Sequence, residues 1–141
     1  MLATRRELTL AAYRTLKGFI PKRQARVIAD LMAGEEGEWY ETRLLELAAL
    51  IDAMPKTYEQ DGKGEQAIIS LHYFTGGCDW WITEKDCEPE QHQAFGYADI
   101  GYGAEAGYIS IVELMGSQAE LDLHFAPCTV AELVAKKRIH T

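Results

Sequence analysis

An α+β fold is predicted from three features of the 141-residue sequence. Apolar residues recur at helical spacing up to about residue 55, they recur at a spacing of two from residue 67, and a polar stretch with two glycines separates the halves. The expected architecture is an N-terminal segment of three helices packed on an antiparallel sheet of four to five strands, with a short C-terminal helix. One domain is expected over residues 1–141, with a helical subdomain at 1–55 and the sheet with its short helices at 67–141.

Thr4-Arg5-Arg6-Glu7 reads as a capping box opening a helix over residues 5–17, with Leu8, Ala12, Leu16 and Phe19 as its apolar stripe and Gly18 and Pro21 ending it. Ala25, Ile28, Ala29 and Met32 define a second helix over 22–33, closed by Gly34. A third opens at 37–40, carries Tyr40, Leu44, Leu47, Ala48 and Ile51 on one face, and cannot pass Pro55. Glu35, Glu36 and Glu38 suit the positive end of that helix. Residues 56–66 are polar and read as a surface loop.

Residues 67–74 read as a strand, with Ile69, Leu71 and Tyr73 on one face and Ile68, Ser70, His72 and Phe74 on the other. A Gly-Gly turn leads to a second strand at 80–83, forming an antiparallel hairpin. Residues 85–93 are polar and contain Pro89, which reads as a loop. A third strand is expected at 94–100, a glycine-rich loop at 101–107 and a short strand at 108–111. Ser110-Ile-Val-Glu113 starts a brief helix, and Glu120 to Phe125 alternates as a strand with Leu121, Leu123 and Phe125 inward. Thr129-Val-Ala-Glu132 opens the terminal helix, which ends at the basic residues Lys136, Lys137 and Arg138.

Hydrophobic residues make up 48% of the chain and charged residues 26%, which excludes a disordered tail and is enough for a packed core. The longest uncharged run, 66–78, contains Ser, His, Thr and Gly, so no membrane partner is expected. No apolar targeting segment follows the spread basic residues of the N-terminus. Three cysteines at unmatched spacings suit a reducing cytoplasm better than a disulfide framework. The net charge of −8 is unevenly placed: residues 1–26 carry seven cations against Glu7, and residues 27–132 carry 21 acids against four cations. A field of one sign steers association, so the asymmetry points to charged partners.

The stretch Leu71-His-Tyr-Phe-Thr-Gly-Gly-Cys-Asp-Trp-Trp-Ile-Thr-Glu-Lys-Asp86, then Ala94-Phe-Gly-Tyr97, Gly107-Tyr-Ile-Ser-Ile-Val-Glu-Leu114 and Leu121-Asp-Leu-His-Phe125, resembles an uncharacterised domain family found in proteins of plasmids, phages and integrative elements. The resemblance covers about residues 67–135. It implies an accessory role in a mobile element and transfers no catalytic residue.

Chemistry-bearing residues are sparse. Cys78, Cys87, His92, His124 and Cys128 could ligate zinc, but no CxxC occurs and no metal or other cofactor is expected. His72, Cys78 and Asp79 are the candidates for nucleophilic chemistry, because the hairpin brings them near one another, although no nucleophile elbow accompanies them. No catalytic residue is assigned. Trp80 and Trp81 are consecutive in a strand and therefore face opposite sides, which predicts one covered indole and one that meets a partner.

The favoured reading is a non-enzymatic accessory protein whose acidic surface engages a basic protein partner, one able to bind nucleic acid, and so inhibits host defence. Trp80, Trp81, Glu35, Glu36, Glu38, Glu84, Asp86, Glu88 and Glu90 are the expected contacts, with Glu41 nearby in the acidic segment. The alternatives are nucleic-acid contact through Arg5, Arg6, Arg14, Lys17, Arg23 and Arg26, or a small hydrolase-like enzyme at His72, Cys78 and Asp79. Homo-oligomerisation is left open.

Overall fold

The computed structural model describes residues 4–136, excluding the side chains of Arg5 and Arg6; Lys137 and Arg138 also lie outside the described residues. The fold is α+β. Helices α1 (Arg5–Leu16), α2 (Lys22–Met32) and α3 (Gly37–Ala53) precede strands β1 (Ile68–Ile69), β2 (Leu71–Thr75), β3 (Cys78–Glu84), β4 (Gln93–Asp99) and β5 (Ala104–Ser110). Helix α4 (Ile111–Gly116), strands β6 (Glu120–Leu121) and β7 (Cys128–Thr129) and helix α5 (Val130–Ala135) follow. The main sheet is antiparallel in the order β5-β4-β3-β2-β6, and β1 pairs separately with β7. Among the described residues no helix is long and apolar enough to cross a membrane.

Helix starts follow local chemistry. The side chains of Thr4, Ser110 and Thr129 accept the backbone N–H three residues on, and Thr129 with Glu132 completes a reciprocal capping box. At the far end of α3, the buried Lys85 Nζ donates to the Ile51 and Asp52 carbonyls (2.7 and 3.2 Å), a cation placed where the helix dipole is negative. On α1 the predicted stripe is only partly covered: Ala12 and Leu16 are buried, whereas Leu8 is half exposed.

Both faces of the sheet are covered, by different material. Leu71, Tyr73 and Ile82 pack under the helices with Leu47 and Ile51, and the Tyr73 hydroxyl donates to the Phe19 carbonyl. On the other face Trp81 packs with Ala67, Ile69, Val130 and Leu133 in a second apolar cluster. The predicted strand 67–74 is therefore corrected to two. Ser70, whose N–H donates to the Ile82 carbonyl (2.9 Å), separates β1 from β2, so Ile69 joins the second cluster while Leu71 and Tyr73 stay in the first.

Two further expectations are corrected. The glycine-rich loop predicted at 101–107 closes within 100–103, because Asp99 Oδ1 accepts the N–H groups of Gly101 and Gly103 (2.9 and 3.3 Å); β5 then starts at Ala104. The strand predicted over 120–125 ends at Leu121. Beyond it, Arg43 takes the carbonyls of Leu123 and Phe125 (2.5 and 2.9 Å), so side-chain donors replace a strand partner.

Between β3 and β4 the register shifts at Thr83, pairing Ile82 with Gly96 and Glu84 with Phe95. A Cβ on Gly96 would lie 1.9 Å from the Trp81 carbonyl oxygen, so this close approach requires glycine. The bulge turns Glu84 onto the Phe95 side of the sheet.

Candidate functional site

His72, on β2, meets two carboxylates. Its Nε2 lies 2.7 Å from Asp79 Oδ1 and its Nδ1 3.0 Å from Asp122 Oδ2. The ring is buried and stacks 5.5 Å from Trp81. Asp79 reaches it because β2 and β3 pair Phe74 with Asp79 and His72 with Trp81, which puts all four on one face. Asp122 arrives from the segment after β6, whose backbone is anchored by the Asp122 N–H on the His72 carbonyl (2.8 Å) and by Asp122 Oδ1 accepting from His124 N–H (2.9 Å). The arrangement clamps the 122–124 segment to the sheet.

Cys78 does not join it. Consecutive strand residues project to opposite faces, so Cys78 points away from the side that Asp79 and His72 share. The hydrolase-like arrangement of His72, Cys78 and Asp79 is thus corrected: two of the three meet and the nucleophile is on the other side. The two carboxylates approach His72 at opposite ring nitrogens and do not converge on one point. Among the described residues no group of three or more His, Cys, Asp or Glu could hold a metal ion. Cys78, Cys87 and Cys128 are free thiols. Burial, followed by Glu132, pushes the Cys128 thiol up from its ordinary value.

The predicted acidic contacts separate into different environments. Glu35, Glu36 and Glu38 are exposed at the start of α3. Glu88 and Glu90 are exposed in the 85–92 loop, and Glu90 lines a cleft with Arg14 and Asp52 near the end of α3. Seventeen residues of helix separate the two groups by about 25 Å, so they do not form one patch. Asp86 is engaged inside its loop, where the N–H groups of Glu88 and Gln93, then His92, hold its carboxyl below the usual range against desolvation. Glu84 is buried, and its Oε1 accepts the Tyr58 N–H (2.6 Å); as a surface contact it is corrected.

Of the two tandem tryptophans, one is fully covered and the other only partly. Trp81 is 1% exposed, and its indole Nε1 is a buried donor with no partner among the described atoms. Trp80 packs against the main core and is partly buried. The exposed indole belongs to Trp39, at 43%. It stacks on His124 at 5.2 Å and meets Tyr40 edge-on at 4.9 Å, between Glu38 and the His72-anchored segment. A helix-spaced aromatic beside three glutamates was the available signal, and core packing of large rings masked it. Arg14 on α1, Lys17 at its C-cap, and Arg23 and Arg26 on α2 are exposed, with Arg23 reaching Gln118 Oε1 at 3.4 Å.

Two cavities were not foreseen. One, about 240 Å³, lies among α1, α2 and α3 and is walled by apolar residues including Leu16, Ile28 and Leu44. The other, about 220 Å³, lies on the opposite face of the sheet between the 57–64 loop and strands β3 to β5. Its walls include Tyr58, Phe95, Tyr97 and Tyr108, and buried Glu84 also lines it. Phe95 and Tyr108 pack at right angles (5.5 Å, 83°), and the hydroxyls of Tyr58 and Tyr108 meet at 2.8 Å. Buried Gln60 anchors the loop, its amide nitrogen donating to the Ile68 and Thr83 carbonyls (2.9 and 2.7 Å) and its oxygen accepting the Ile68 N–H (2.7 Å).

No family model matches this chain, and no curated protein and no solved structure shows significant similarity to it.

Proposed function

We propose that this chain is a non-enzymatic binding protein that docks a basic protein partner at the corner formed by Trp39, Glu35, Glu36 and Glu38. The observation that carries the reading is the half-exposed Trp39 ring, held in place by the His124 ring and Tyr40 rather than by burial. A pre-positioned indole loses little conformational freedom on binding, and tryptophan is enriched among residues that dominate interface energies. The adjacent carboxylates supply steering toward positive charge. The resemblance of residues 67–135 supports placing this role in a mobile element. There, carboxylates occupying a partner's phosphate-binding groove would inhibit host defence. The three free thiols support a cytoplasmic setting.

The test is affinity capture from the native host at about 50 and about 500 mM salt, which span a large change in screening length. The wild type, Trp39→Ala and the triple change of Glu35, Glu36 and Glu38 to Gln are compared with the same identified partner. Trp39→Ala is expected to weaken binding by about 2 kcal/mol, roughly 30-fold. Retention by both variants, or a flat salt response, refutes the reading.

The exposed cations of α1 and α2 favour a second reading, contact with nucleic acid. A low-salt gel shift abolished by Arg23→Glu with Arg26→Glu, and unaffected by Trp39→Ala, selects it over the first.

A further inference from the structure

We propose that the aromatic cavity between the 57–64 loop and β3–β5 binds an organic ammonium group, either on a free amine or on a lysine side chain of a partner. This site is separate from the Trp39 corner and does not depend on that reading.

The sign of the ligand follows from the lining. Glu84 and Asp61 border the cavity, and among the described residues no lysine or arginine does. Glu84 is only 6% exposed. A carboxylate offers about four acceptor positions, and the Tyr58 N–H on Oε1 fills one of them. A buried charge with one such hydrogen bond among the described residues is favourable where a counter-charge arrives. Its neighbour Lys85 does not fill that role, because Lys85 Nζ is directed to the end of α3.

The shape of the ligand follows from the rings. Four aromatic side chains line the same cavity as Glu84, and ring faces attract cations within about 6 Å of their centroids. Tyr58 adopts a left-handed backbone, φ 71°, which is costly for a residue other than glycine. That conformation accompanies both the N–H contact with Glu84 and the hydroxyl contact with Tyr108. The cavity, about 220 Å³, is smaller than the roughly 300–1,000 Å³ of sites for drug-sized ligands, so a compact head group fits better than a large molecule.

Isothermal titration calorimetry on the full chain tests this, with choline and n-butylammonium as cationic probes and 3,3-dimethylbutan-1-ol as the neutral counterpart of choline. Saturable binding of at least one cation is expected, with the neutral alcohol at least about tenfold weaker. Glu84→Gln and Tyr108→Leu are each expected to weaken the cation by about tenfold or more. Tyr108 is half exposed, so its replacement keeps the test decisive if Glu84→Gln fails to fold. A peptide containing trimethyl-lysine that binds about tenfold tighter than choline assigns the group to a partner's lysine; equal or weaker binding assigns it to a free amine. Absence of saturable binding by both cations, equal affinity for choline and its neutral counterpart, or full affinity in folded Tyr108→Leu overturns the proposal.

Discussion

Gly96→Ala, compared with Gly107→Ala, tests how tightly β3 and β4 are locked together. The added methyl group at position 96 would lie 1.9 Å from the Trp81 carbonyl oxygen and 3.0 Å from Ile82 Cα. Real Cβ contacts essentially never fall below 3.0 Å, so the strands must part locally by about 1 Å. Stretching ladder hydrogen bonds that far removes most of their strength, and losing two of them costs about 1–3 kcal/mol. Displacing Trp81 and Ile82, which are fully buried, adds about 1–3 kcal/mol of overpacking. The expected loss is about 2–6 kcal/mol. Gly107 is the direct cross-strand partner of Gly96, yet a Cβ there meets nothing within 4 Å. Alanine at 107 should stabilise by about 0.4–1 kcal/mol through the unfolded chain. Urea unfolding distinguishes the two, since with a slope of about 1–3 kcal/mol/M the Gly96→Ala midpoint should fall by about 1–3 M. A Gly96→Ala midpoint no lower than that of Gly107→Ala refutes the reasoning.

Burial, opposed by Asp52, pushes the Lys85 ammonium below its ordinary pKa. Because the folded value is the lower one, the unfolded chain binds more protons between the two values, and stability should rise with pH through that interval. Urea midpoints should show this rise in the wild type and not in Lys85→Met, which also loses about 1–3 kcal/mol at neutral pH by unpairing the Ile51 and Asp52 carbonyls. Asp86 has the same sign of pH slope in a more acidic interval: its folded pKa is depressed, so its contribution is complete above the ordinary aspartate value and is lost as pH falls through the lowered one. Asp86→Asn should flatten that part of the acid limb, and an unchanged acid profile counts against the loop's N–H contacts. Under native conditions a thiol reagent should modify exposed Cys87 first, with Cys78 and Cys128 slower; equal rates at all three contradict their burial.

Periodicity made the three helices and the β2–β3 hairpin legible, because each places apolar residues at a regular spacing on the face toward the main core. It failed where a side chain from a distant element determines the backbone. Nothing local to residues 122–126 announces that Arg43, from α3, will take their carbonyls. Nothing near Ile69 shows that the sheet has a second covered face, which depends on α5 and on the break at Ser70. The same limit applies to the site. His72 and Asp79 were close enough in sequence to be paired by hairpin geometry, whereas Asp122 was not. Glu84 sits in a run of alternating acids that looks like a solvated loop, and only the register shift at Thr83 puts it on the Phe95 side of the sheet. Alternation alone puts Trp80 and Trp81 on opposite faces, but it does not show that apolar clusters cover both of those faces.

The strand order has a kinetic consequence. Strands β2 through β5 are successive hairpin neighbours, while the Tyr73–Leu121 and Ile68–Thr129 pairings close loops of about 50 and 60 residues. Loop closure of that length must precede any gain from the contacts it makes, so the meander should form early and the return of β6 and β7 should complete folding. In pulse-labelled hydrogen exchange during refolding, amides of β3 and β4 should gain protection before those of Leu121 and Val130. Simultaneous protection would mean that the chain collapses around its distant closures from the start.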